Sequence, residues 1–211
     1  MNKNMLFAAG IVFGLSTASI SAMQGQLVKI KDVNPTIQTY LVFATPDNFT
    51  GQKVYASDKC YVLKEVAENL DIIQKKLNLI GLGLLIIDGY RPLSAQQKFW
   101  DLIQDERYVS NPAKNGGRHT RGTAVDVLII DLKTGHPLPF PLKISDLKDS
   151  SYFSPKVCHG HMDLPEEQIH NREFLKKIMT ENGFESYPYE FWHYDLVGWQ
   201  NHPALTFEPE V

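Results

Sequence analysis

Residues 124–131 read AVDVLIID. Alternation and β-branched residues predict a strand there. Asp126 stands inside the apolar run, and a charged carboxylate in such a place is unstable unless something compensates it. A metal ion can do so, and so can a salt bridge or a set of backbone amides. Whatever this chain folds into must therefore bring a compensating group to Asp126. His119, in the glycine-flanked loop just before the strand, is the nearest candidate.

The rest of the pattern predicts an α+β domain, a small antiparallel sheet with helices packed on one side. Ser57 is placed to cap a helix whose apolar face runs through Val62, Leu63, Val66, Ala67, Leu70, Ile73 and Leu77, with Gly81 as its stop. Leu84 to Ile87 predicts a buried strand ending in a turn at Asp88-Gly89. Ser94 and Gln97 stand at capping-box spacing at the start of SAQQKFWDLIQ, predicting a second helix. A third runs from Glu166 to Asn182, with Ile169, Phe174, Leu175 and Ile178 inside and Gly183 ending it. YEFWHYDLV is a further strand candidate.

At 211 residues the chain fits one globular domain, or two at most, and its 43% apolar and 21% charged residues exclude disorder as the main state. A formal charge of −3 argues against a nucleic-acid binder that works by general electrostatics. Residues 1–22 read MNKNMLFAAGIVFGLSTASISA: one basic residue, an uncharged stretch, then small residues. That is the layout of a secretory signal peptide cleaved after Ser21 or Ala22, leaving a domain over residues 23–211 with no stable membrane insertion. An uncleaved anchor is the alternative, although Gly, Ser and Thr dilute the apolar stretch. Two cysteines, Cys60 and Cys158, are either a disulfide in an oxidising compartment or two inert thiols.

Three short segments carry chemistry. In HTRGTAVD, His119 and Asp126 are candidate metal ligands; in EFWH, His193 is a candidate third ligand beside Glu190. Two imidazoles and a carboxylate leave a fourth tetrahedral position open for water, the layout of a catalytic zinc site. Glu190 could then move a proton between that water and a leaving amine. In DGYRP, Arg91 at a strand end could hold a carboxylate or face a developing oxyanion, or simply pair with Asp88. A rival cluster, Cys158-His159-Gly160-His161, lacks a distant acidic partner.

DGYRP, HTRGTAVD and EFWH, in that order, resemble the zinc D-alanyl-D-alanine dipeptidases, the VanX-type branch of the D,D-peptidase clan in peptidase family M15. The family motif S-x-H-x-x-G-x-A-x-D is matched from Gly117 to Asp126 with Gly117 in place of Ser, and E-x-x-H is matched by Glu190 to His193. The likeness extends to NFTG at 48–51, the helix from Cys60, the strand before Asp88, Ala95-Gln96, Asn171-Arg172 and YPYEFWHYD. It implies a hedgehog/D,D-peptidase-like fold and one zinc per chain held by His119, Asp126 and His193. It also implies Glu190 as base and acid, and Arg91 as stabiliser of the transition state. The implied substrate is a small D,D-dipeptide cleaved during peptidoglycan turnover, and with the leader a periplasmic location. The family's D-M-G-x-x-F-D segment, whose second Asp binds the substrate ammonium, has only Asp146 and Asp149 in the corresponding stretch. A D,D-carboxypeptidase acting on stem peptides, a non-catalytic zinc-containing peptidoglycan-binding module, and a cysteine hydrolase using Cys60 or Cys158 are the competing expectations.

Overall fold

The computed structural model describes residues 26–148 and 153–210; the predicted leader lies outside them. In chain order the strands and α-helices are β1 (Leu27–Lys29), α1 (Ile30–Val33), β2 (Gln38–Thr39), β3 (Tyr61–Leu63), α2 (Lys64–Asn78), β4 (Leu82–Asp88), α3 (Leu93–Leu102), α4 (Pro112–Asn115), β5 (Ala124–Asp131), α5 (Glu166–Thr180), β6 (Phe184–Ser186) and β7 (His193–Leu196). Five strands form one sheet in the order β2-β4-β5-β7-β6, while β1 and β3 pair separately. All neighbours in the large sheet are antiparallel except the two-residue edge strand β2, which runs parallel to β4. The α+β expectation holds. Both central strands, β4 and β5, are buried almost throughout, so neither face of the sheet's middle is open to water. No helix among the described residues is long and apolar enough to cross a membrane.

Helix α2 packs Val66, Ala67, Leu70, Ile73 and Leu77 into the core, as the periodicity predicts, but it begins at Lys64. Tyr61 to Leu63 are strand instead, in register with β1 (Leu27↔Leu63). Ser57 caps nothing at this helix; its hydroxyl accepts from the Lys59 amide at 3.3 Å. The first helical amide, that of Lys64, donates to the Gln26 carbonyl at 3.0 Å, so backbone from β1's entry does part of the work expected of a cap. Helix α3 starts behind Pro92, whose carbonyl accepts from Ala95 and Gln96 at 3.0 Å each. The predicted capping box is absent. Ser94 donates to Glu208, and Gln97 donates along the helix to Asp101 at 2.8 Å. Helix α5 ends at Thr180, two residues short of the predicted end, and buries Leu175, Ile178 and Met179, with Ile169 and Phe174 half-buried. Of YEFWHYDLV only His193 to Leu196 is strand; Phe191 and Trp192 are buried in the turn before it.

A buried glutamine ties α2 to β4. Gln74 accepts from the Leu84 amide at 2.8 Å and donates to Asn78 at 2.7 Å. With both its hydrogen-bonding ends used, the amide is tolerated in the core.

Candidate metal centre and catalytic cavity

The sheet register lines up the chemistry. Asp88 at the end of β4 stands opposite Asp126 on β5, and Asp126 stands opposite His193 at the start of β7. A bulge between Ile86 and Asp88 makes the first of these pairings possible. His119 arrives from the turn that leads into β5. That 3₁₀ turn, His119–Arg121, closes on Gly122 at φ +70°, a backbone conformation natural to glycine. A Cβ there would also meet Leu27 at 2.7 Å, so the residue that ends the turn has no room for a side chain.

His119 Nδ1 lies 2.8 Å from the Gly89 carbonyl. A carbonyl only accepts, so Nδ1 carries the proton and Nε2 presents its lone pair. That lone pair faces His193 Nδ1 at 3.2 Å and Asp126 Oδ1 at 3.4 Å, and His193 Nδ1 lies 3.0 Å from the same carboxylate oxygen. All three side chains are buried, and their donor atoms fall within 4.8 Å of one another. This is the one such group of three or more His, Cys, Asp or Glu among the described residues.

Opposite charges within this group hold one another in their ionised forms against the cost of burial. Burial would raise the Asp126 carboxyl, but the two histidines hold it well below the usual carboxylate range. Burial would lower His193, but the Asp195 carboxylate and the hydrogen bonds of Asp126 and Asp195 overcome it and push the imidazole up to about 10.

Glu190 and Arg91 complete the cavity wall, together with Gln96, Glu106, Arg107, Tyr108, Arg118 and Tyr187. Glu190 is buried, with Oε2 3.8 Å from His193 Nδ1 and no hydrogen-bond partner at Oε1. Burial pushes its carboxyl up to about 8, against the pull of His193. The turn that carries it is braced by the 155–161 segment: Phe191 donates its amide to Val157, and His159 donates to Pro188, at 2.9 and 3.1 Å. The Cys158–His161 stretch contributes the second of these bonds and is in no metal-ligating group among the described residues.

Arg91 pairs with Asp88, the simpler reading of its motif, and also lines the cavity. Its Nε and one terminal nitrogen reach Asp88 Oδ2 at 3.2 and 2.7 Å, and the other donates to Gln96 at 3.0 Å. Its guanidinium also lies 4.9 Å from the Phe99 ring centre. Asp88 is itself held by the Tyr55 hydroxyl at 2.8 Å, so the arginine is fixed rigidly while it lines the cavity. At Gly117, where the family motif has serine, a Cβ would sit 3.2 Å from the Gln96 oxygen that holds Arg91, so a side chain there would press on that glutamine.

Some expectations fall away from the cavity. Asp146 accepts from the Lys143 amide and from Ser145 and does not line it; Asp149 lies outside the described residues. Both cysteines are free. Cys60 packs against Gly89, where burial pushes its thiol well up and makes it a poor nucleophile. The sequence reading missed Asp195 and Arg118. Asp195 follows His193 by two residues on one strand, a spacing that puts both side chains on one face and could have revealed it.

Comparison with known proteins gives the family. The profile of the peptidase M15 family, described as D-ala-D-ala dipeptidase, matches residues 23–207. The D-alanyl-D-alanine dipeptidase of Escherichia coli (strain K12) is 31% identical over 185 residues, covering 86% of this chain and 90% of that protein. The enzyme of the same name from Enterococcus faecalis (strain ATCC 700802 / V583) is 32% identical over 174 residues, covering 74% and 83%. Among solved structures, a Zn(II) complex of the vancomycin-resistance D,D-pentapeptidase VanY from a VanB-type cassette is similar with a TM-score of 0.42 at 15% identity, covering 69% of this chain and 78% of VanY. A profile match over nearly all the described residues, and relatives above 30% identity along most of their length, establish that this chain belongs to the M15 metallopeptidases, in the D-Ala-D-Ala dipeptidase family.

Proposed function

We propose that the chain is a zinc-dependent hydrolase of the D-alanyl-D-alanine dipeptide, with His119, Asp126 and His193 as metal ligands, Glu190 as general base and acid, and Arg91 as stabiliser of the developing oxyanion. The observation that carries this reading is the convergence of two imidazole nitrogens and one carboxylate beside a buried, unpartnered Glu190 oxygen. The donor set suits zinc. Each ligand histidine has a partner at its outer nitrogen, the Gly89 carbonyl for one and Asp195 for the other, which leaves the inner nitrogens turned toward each other and toward Asp126, where a shared cation would sit. Zinc, when bound, supplies Lewis-acid polarisation of the scissile carbonyl and lowers the pKa of a coordinated water to about 7.

The chain's own groups do the rest. The Glu190 carboxylate takes the proton of the attacking water and returns it to the leaving amine. Arg91, held by Asp88 and Gln96, aims remaining guanidinium charge at the oxyanion.

The dipeptide, rather than a longer stem peptide, is favoured by an acid in the wall that has neither a ligand's nor the base's place. Glu106 lines the cavity from its exposed rim, paired with Lys114 Nζ at 2.5 Å, and a free substrate ammonium would take the place of that lysine. D-Ala-D-Ala should therefore be cleaved faster than the same dipeptide acylated at its amine. Preference for the acylated form or for a pentapeptide stem would overturn the dipeptidase reading in favour of a carboxypeptidase.

The location is proposed as periplasmic, with peptidoglycan turnover as the source of substrate. In support, the family match begins at residue 23, directly after the segment with signal-peptide layout. The exported protein should begin at residue 22 or 23; recovery with Met1 still attached would contradict cleavage.

A further inference from the structure

His193 gives Nδ1 to the ligand cluster and turns Nε2 to Asp195 Oδ1 at 3.1 Å. An imidazole can offer a lone pair at Nδ1 only if its proton sits on Nε2, so the group beside Nε2 decides whether this residue can bind a metal. The counterpart at His119 is a backbone carbonyl; at His193 it is a carboxylate, the stronger acceptor.

Asp195 reaches the ring because the two residues are neighbours on one face of β7. It is also deeply buried, and a buried carboxylate needs a counter-charge. Arg118 supplies it, with Nε 3.2 Å from Asp195 Oδ2. The Arg118 guanidinium is stacked 4.6 Å from the Tyr187 ring centre and 4.9 Å from Trp199. Trp199 in turn donates at 2.9 Å to Glu185, which stands directly opposite Asp195 in the β6–β7 ladder. A continuous set of contacts thus leads from the outer strand to the outer nitrogen of one ligand.

We propose that Asp195, with Arg118 as its counter-ion, is a positioning residue that fixes the ring orientation and tautomer of His193 and so sets the affinity of the metal centre. This rests on the zinc reading above. Neither residue touches the reacting atoms through this route; Asp195 acts through His193, and Arg118 acts through Asp195.

The test is zinc affinity of the full chain, measured by competition with a chromophoric chelator, together with the visible absorption of the cobalt(II)-substituted protein. Asp195→Asn keeps the size of the side chain and removes its charge. It should weaken zinc binding by about 10–100-fold and shift the cobalt spectrum, a change that a merely structural role would not produce. Arg118→Met should weaken zinc binding in the same direction. If Asp195→Asn does not fold, the arginine variant decides by the same two readouts. Binding as tight as the wild type, with an unchanged cobalt spectrum, overturns the proposal while the zinc reading stands. A wild-type chain that binds no zinc overturns the zinc reading and this one with it.

Discussion

Glu190→Gln should lower kcat on D-Ala-D-Ala by about 10²–10⁴-fold, the usual contribution of a positioned proton-transfer group, while the protein still takes up one zinc. The substitution is nearly isosteric, and Glu190 is no member of the ligand cluster, so the metal centre should survive. What disappears is the acceptor. One carboxylate oxygen of Glu190 is buried without a hydrogen-bond partner, 3.8 Å separate the other from His193, and the other acids of the cavity wall are Asp126, in the ligand cluster, and the exposed Glu106, paired with Lys114. The pH profile gives the second readout. Burial pushes this carboxyl from its ordinary 4.5 up to about 8 in the metal-free chain, and a dication beside it favours the ionised form and brings it back down. The base works only when ionised, so kcat/KM should fall as pH is lowered through a value between those two limits. The glutamine variant should lack that limb. A variant that kept wild-type turnover, or a weakened one with the same acid limb, would remove Glu190 from the role of base.

Zinc should stabilise the fold strongly, and its removal should be the most damaging change of condition. At free zinc of 1,000 times Kd the linkage amounts to about 4 kcal/mol, enough to raise Tm visibly. His193 is pushed up to about 10 by Asp195 and Asp126 against the effect of burial, so it carries a proton near pH 7. Zinc must displace that proton. Uptake near pH 7 should release about one proton per zinc, and affinity should rise as pH rises toward 10. The sign for the metal-free protein follows from the same group. A histidine whose folded pKa is raised contributes stability below its ordinary 6.5, and that contribution is lost as pH climbs through about 10. Calorimetric titration in buffers of different ionisation enthalpy measures the proton count. Zinc uptake with no proton released and no change in Tm would place the ion elsewhere on the protein.

The site was more legible than the fold around it, for physical reasons. Asp126 announced itself because a carboxylate in an apolar strand requires a partner, and His119, Glu190 and His193 stood in spaced motifs near it. Asp195 carried as clear a signal, a second acid in an apolar strand two residues from a histidine. It was passed over because its partner Arg118 is 77 positions distant in the chain, and only the pairing of β5 with β7 brings the loop and the strand together. The row Asp88, Asp126, His193 is of the same kind: each residue was visible, but their register is a tertiary choice. Strands β1, β2, β3 and β6 are two or three residues long, too short to show a period of two. The two helix starts were misplaced because backbone carbonyls and a proline took the place of side-chain caps. Asp146 lies away from the cavity, whose wall takes its remaining acid, Glu106, from the loop after α3.

Release of free D-alanine from D-Ala-D-Ala, measured before chelation, after chelation and after return of stoichiometric zinc, tests the central claim most directly. The structure leads to turnover that stops with the chelator and returns with the metal. A folded protein shown to contain one zinc that releases no D-alanine would contradict the dipeptidase reading. Release that continued unchanged in the chelated, zinc-free protein would contradict the role assigned to His119, Asp126 and His193.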